Sequence, residues 1–140
     1  MFIMEPTVKL AVLCDYAFRT QDNKLSVIGI FSQISVADMP GASPPFFVVI
    51  SVGLDQGTHQ VQFGVVDPVG QQALPDAPSF DVEVESVGAD TDLLLQFNGM
   101  PLQRPGIYQV QLYVAGRLVH AIPVSVQGAM TGGMGPIRAN

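Results

Sequence analysis

The sequence predicts an all-β domain, an antiparallel β-sandwich of about eight strands with Greek-key, immunoglobulin-like connections. Three observations carry that prediction. Apolar residues recur with a period of two along most of the chain, and no stretch shows a convincing 3.6-residue period. The apolar runs are separated by turns rich in Pro, Gly, Asn and Asp, at spacings of roughly 10 to 15 residues. The chain has 140 residues, which suits one domain with enough buried area to need neither disulfides nor metal.

In order, Val8, Leu10, Val12 and Cys14 alternate with Lys9, Ala11, Leu13 and Asp15. The tetrapeptide QDNK turns the chain, and LSVIGIFSQI (25–34) forms the second run. ADMPGASPP (37–45) is a loop by its Pro and Gly content. FFVVISVGL (46–54) is a continuous apolar strand, and DQGTH (55–59) a turn. Val61, Phe63 and Val65 then alternate with Gln60, Gln62 and Gly64. DPVG (67–70) suits a type I turn, because Asp accepts backbone hydrogen bonds and Pro pre-sets φ. After the irregular ALPDAP, SFDVEVE puts Phe80, Val82 and Val84 on one face and Asp81, Glu83 and Glu85 on the other. VGADTD turns into LLLQFN (93–98), and NGMPLQRPG leads to a final hairpin over 107–126. Residues 1–126 read as a single domain. The Gly- and Met-rich segment 127–140 reads as a flexible tail whose methionines are suited to docking on a partner.

Two hairpins allow finer expectations. A two-residue turn at Asp22-Asn23 sets Tyr16 opposite Gly29, Phe18 opposite Val27 and Cys14 opposite Phe31. The other face then holds Leu13, Ala17, Ile28 and Ile30 with Asp15 and Arg19, too apolar to face only solvent. In the last hairpin a three-residue loop, Val114-Ala115-Gly116, puts Tyr108, Val110 and Leu112 on one face with Leu118, Ile122 and Val124. Gln109, Gln111 and Tyr113 point away. Pro123 cannot donate to a sheet ladder, so its strand is an edge or carries a bulge. An exposed edge is either blocked or used for docking.

Composition excludes several functions. Charged residues make up 13% of the chain and the net charge is −6. The six cations, Lys9, Arg19, Lys24, Arg104, Arg117 and Arg138, are scattered, whereas a nucleic-acid surface needs them clustered. Anionic membranes are disfavoured for the same reason, and no apolar run approaches the roughly 20 residues of a span. MFIMEPTVKL lacks a basic n-region and Glu5-Pro6 interrupts its apolar stretch, so no signal peptide is expected. A lone cysteine, Cys14, suits the cytoplasm.

The segments LAVLCDYA (10–17), KLSVIGIFSQI (24–34), VVDPVGQ (65–71) and NGMPLQRPGIYQVQLYVAGRLVHAIPVSV (98–126) together resemble a bacterial family of small proteins catalogued as a domain of unknown function. Its members similarly carry a Cys-Asp strand, a Lys-Leu-x-x-x-Gly hairpin and a Pro-x-x-Gly-x-Tyr strand. Ala115-Gly116 departs from the Asp-Gly turn more typical there. The resemblance covers about residues 8 to 126 and implies a β-sandwich, with no activity or site to carry over.

No constellation points to chemistry. Cys14 continues an apolar face as a buried thiol, and nothing in the spacing brings His59 or His120 to it as a base. Neither histidine has a metal-type partner at short spacing; His59 falls in a turn, and His120 either faces the apolar side of the last hairpin or sits in a bulge. Asp90 and Asp92 suggest a calcium loop, but such a site wants six or more oxygens. GGMG lacks the Gly-Lys-Ser/Thr of a phosphate loop. The expectation is a non-catalytic interaction or structural module without cofactors. It would associate with itself or with another protein through sheet edges or apolar faces, centred on Ile28, Ile30, Tyr113, Val119 and Pro123. The competing expectation is a small-ligand binder, taking sugar or lipid between the sheets or on a tyrosine-bearing face.

Overall fold

The period-two runs all form strands in the computed structural model, which describes residues 5–74, 76–86 and 90–128. Among the described residues eleven strands follow one another: β1 (Thr7–Arg19), β2 (Leu25–Phe31), β3 (Gln33–Val36), β4 (Gly41–Ala42), β5 (Phe46–Gly53), β6 (Gly57–Val66), β7 (Ser79–Val84), β8 (Asp90–Phe97), β9 (Pro101–Leu102), β10 (Gly106–Val114) and β11 (Arg117–Gly128). The described residues contain no helix, and none long and apolar enough to cross a membrane. One sheet has the order β2-β1-β5-β8 and the other β3-β11-β10-β6-β7; β4 and β9 form a two-stranded ribbon.

The number and direction of the strands differ from expectation. The run 25–34 is not one strand. It breaks at Ser32, leaving β2 in the first sheet while β3 enters the second, where it runs parallel to the end of β11. The backbone N–H of Ser125 donates to the carbonyl of Ser32 at 2.9 Å, which ties the crossover to β11. The loop 37–45 holds the short β4, paired with β9. β11 continues to Gly128, two residues past the expected domain end, and the rest of the expected tail lies outside the described residues.

The two sheets share one core. Phe46, Val48, Ile50 and Val52 of β5, with Leu13, Leu93 and Phe97, meet Val61, Phe63 and Val65 of β6, Tyr108, Val110 and Leu112 of β10, and Ile122, Val124 and Val126 of β11. Burial of each such side chain contributes about 1.5–3 kcal/mol.

Both predicted hairpin loops are off by one residue. The first loop has three residues: the Asn23 N–H bonds to the carbonyl of Thr20 (2.9 Å), the Thr20 N–H to that of Lys24 (2.8 Å), and Asn23 has φ 66°. This is a type I turn closed by a left-handed residue. Tyr16 therefore pairs with Ile28, Phe18 with Ser26, Cys14 with Ile30 and Leu13 with Phe31. The last hairpin has a two-residue loop, with φ 52° at Ala115 and 79° at Gly116, the signs of a type I′ turn. Val114 pairs with Arg117 and Tyr113 with Leu118, and a bulge then shifts Leu112 onto His120. The bulge compensates for the shorter loop, so Tyr108, Val110 and Leu112 still share the core face with Ile122 and Val124. Leu118 alone is displaced, and it is exposed. His120 is half-buried beside Leu112.

Candidate functional site

The surface begins with the curl of the β1–β2 hairpin. Leu10 lies level with Ser51 of β5, and Ser51 with Asp92 of β8. Nine residues of flat strand would carry Arg19 roughly 30 Å beyond Leu10. Yet the Arg19 guanidinium bonds the Asp92 carboxylate at 3.2 Å and its carbonyl at 3.3 Å. The hairpin must therefore fold back across the outer face of its own sheet. Its far half supplies Ala17, Leu25 and Val27, which pack on Cys14 and Val49, the latter two fully buried. Within β2, Gly29 has φ 74°, and an added Cβ there would collide with the Asp15 carboxylate. Both that backbone and that contact favour glycine.

This fold-back splits the face predicted for Leu13, Ala17, Ile28 and Ile30. Leu13 enters the main core and Ala17 is buried under the curl, while Ile28 and Ile30 remain 55% and 59% exposed. Tyr16 (52%) and Phe18 (36%) stay exposed as well. Tyr16 is the cross-strand partner of Ile28, and its ring lies 5.7 Å from that of Phe18 and 5.4 Å from that of Phe47. The result is a set of exposed apolar side chains on the edge strand β2 and its neighbour β1.

The remaining predicted positions lie on the second sheet. Tyr113 is half-buried on its outer face and donates to Gln111 Oε1 at 2.9 Å. Val119 packs against the core at the bulge and lines a cavity of about 340 Å³ with Pro6, Leu118, Glu5, His59 and Arg117. Pro123 is exposed and pairs with Gln109; β3 covers β11 only from Ser125 onward, so the edge expected at Pro123 is present. These three do not join Ile28 and Ile30 in one surface.

Other expected features are occupied. His59 is half-buried, and its Nε2 lies 2.6 Å from the Asp55 carbonyl. Asp90 and Asp92 form ion pairs with Lys9 and Arg19, each at 3.2 Å. Burial raises the thiol pKa of Cys14 above its ordinary value, only partly opposed by the backbone amides of Tyr16 and Ile28. Among the described residues no cluster of three or more His, Cys, Asp or Glu side chains is arranged to hold a metal ion.

Sequence reasoning overlooked two features. Tyr108, fully buried, donates its hydroxyl to the Arg104 carbonyl at 2.8 Å and accepts from the amides of Gln103 and Arg104, both at 3.3 Å. The second is a hollow of about 420 Å³ over Gly64, bordered by Tyr113, Gln62, Gln72, Leu74 and Ala77. The run Gln60, Gln62, Gly64 was its only trace in the sequence.

The model of a family of unknown function (DUF6941) matches residues 9–127. The chain belongs to the DUF6941 family. The DUF6941 match runs from β1 into the end of β11 and takes in both surfaces described above. A search of curated proteins finds no match. Among solved structures, the chain is similar to the alkylpurine DNA glycosylase AlkC of Pseudomonas fluorescens, bound to DNA containing an abasic site analog. The identity is 11% and the TM-score 0.52, over 88% of this chain and 30% of that one. It is also similar to a β-glucosidase of Listeria innocua in complex with isofagomine, at 12% identity and TM-score 0.51, over 91% of this chain and 16% of that one. This DUF6941 chain thus spans less than a third of either structure, and the likeness concerns the fold alone.

Proposed function

We propose that this protein is a non-catalytic interaction module that self-associates through the β1–β2 hairpin, carried on an immunoglobulin-like sandwich. The order of strands supports the frame: β5 neighbours β8, β6 neighbours β10, and β3 lies parallel to β11. The Tyr108 hydroxyl on the Arg104 carbonyl has the form of a tyrosine corner.

The observation that carries the association is the exposure of Ile28 and Ile30 on the edge strand β2, with Tyr16 and Phe18 exposed on its neighbour β1. At about 200 Å² for each large side chain, their exposed fractions amount to roughly 400 Å² per copy. A stable interface buries about 800 Å² per partner, so these side chains alone support only a weak, reversible contact. The β2 backbone adds edge hydrogen bonds. Antiparallel pairing of β2 with β2 of a second copy would place the same residues on both sides of a two-fold axis and close the assembly at a dimer.

Sedimentation velocity from low to high micromolar concentration tests this. The expected result is a mass that rises with concentration, with half-association at roughly 100 μM, and a monomer throughout for the Ile28→Lys, Ile30→Lys double variant. A wild-type monomer up to about 500 μM refutes self-association.

A further inference from the structure

We infer that the hollow over Gly64 is a binding site for a neutral polyhydroxyl ligand, a single sugar ring, separate from the hairpin surface. The floor follows from the register: on the outer face of the second sheet Gly64 lies opposite Gln111, and Gln111 opposite Ala121. Gly64, which has no side chain, leaves room above the sheet beside Gln111. An added Cβ at Gly64 would meet Gln72 Oε1 at 3.7 Å, Gln111 Oε1 at 3.8 Å and Tyr113 Cε1 at 3.8 Å. Those three side chains therefore converge on the empty position, and the segment carrying Gln72, Leu74 and Ala77 forms the far wall.

The chemistry of the lining selects the ligand. None of the described residues bordering the hollow is charged, so an ionic ligand would lose its hydration without a counter-charge. The polar groups are amides and a phenol, which offer donors and acceptors side by side. Sugar hydroxyls are themselves donor and acceptor at once, and pair with such groups at no charge cost. The Tyr113 hydroxyl donates to Gln111 Oε1, so the Tyr113 oxygen remains an acceptor and the Gln111 NH₂ a donor. Gln111 is only 8% exposed, and the bond to it orients the Tyr113 hydroxyl before any ligand arrives. The Tyr113 ring and Leu74 supply apolar surface for the C–H face of a pyranose. The volume, about 420 Å³, lies in the range of small-ligand pockets. The cavity beside Val119 lacks this selectivity, since it is lined by Glu5 and Asp55 as well as His59 and Arg117.

The test is a titration of the ¹⁵N-labelled full chain with D-glucose, D-galactose, N-acetylglucosamine and cellobiose, followed by amide shifts. At least one sugar is expected to give saturable shifts at Gly64, Gln111 and Tyr113 with an affinity on the order of millimolar. Gly64→Val, which fills the hollow with a strand-favouring side chain, and Tyr113→Ala should each weaken binding at least about tenfold. Their folds are checked by the unchanged remainder of the spectrum. Absence of saturable shifts with all four sugars up to about 100 mM overturns the inference. So do shifts that persist unaltered in both variants, or that appear at the hairpin instead.

Discussion

Replacing Tyr108 by Phe removes a single oxygen and leaves the ring in the core. That oxygen donates to the Arg104 carbonyl at 2.8 Å and accepts, at 3.3 Å, from two backbone amides of the turn that leads into β10. The 2.8 Å bond is short and buried at the tyrosine end; the two amide contacts are long. A net hydrogen bond contributes about 1 kcal/mol, and a buried partner left unsatisfied costs about 1–3 kcal/mol. Gln103 and Arg104 are exposed, so water replaces part of the loss. The expected destabilisation is about 2 kcal/mol. At about 2.1 cal/mol/K of unfolding entropy per residue, 140 residues give roughly 0.3 kcal/mol/K, and Tm falls by roughly 7 °C. Calorimetry and urea unfolding should agree, with an unchanged m-value because the surface exposed on unfolding is the same. A loss below about 0.5 kcal/mol would refute the corner as a stabilising device.

Ala115 holds φ 52° in the final hairpin, a conformation that costs an L-residue other than Asn or Asp about 1 kcal/mol. Ala115→Asn should raise stability by about 0.5–1 kcal/mol in urea unfolding; a fall would mean that the turn is not of the primed type. The buried Cys14 thiol has a raised pKa, so the folded state favours the protonated form. Its contribution is intact below the unfolded thiol's pKa, roughly 8.5, and declines as pH rises above it. Wild-type stability should therefore fall more steeply than that of Cys14→Ala at alkaline pH. Parallel slopes in the two proteins would contradict this.

How much of this was written in the chain differs from segment to segment. The DPVG turn forms as its residues dictate: Asp67 Oδ1 accepts from the amides of Val69 (3.0 Å) and Gln71 (2.8 Å), and the Gly70 N–H bonds the Asp67 carbonyl at 3.0 Å. Ile28 and Ile30 were legible as apolar residues in need of a partner, and they are exposed. Their neighbours Tyr16 and Phe18 were assigned to a separate face, because a loop one residue longer moves every pair. The hollow at Gly64 left only the run Gln60, Gln62, Gly64 as a trace, since it requires β6 and β10 to meet Gln72, Leu74 and Ala77.

The sequence by itself determined the period of two, hence the strands and which side chains of β6 and β10 turn inward, because alternation is a local property of the backbone. Only the tertiary structure decided the loop lengths, the compensating bulge in β11, the crossing of β3 to lie parallel with β11, and the fold-back that carries Arg19 to Asp92. Each of those depends on contacts between residues far apart in the chain. There the energy gained by burying one face over another outweighs the preference of any short segment.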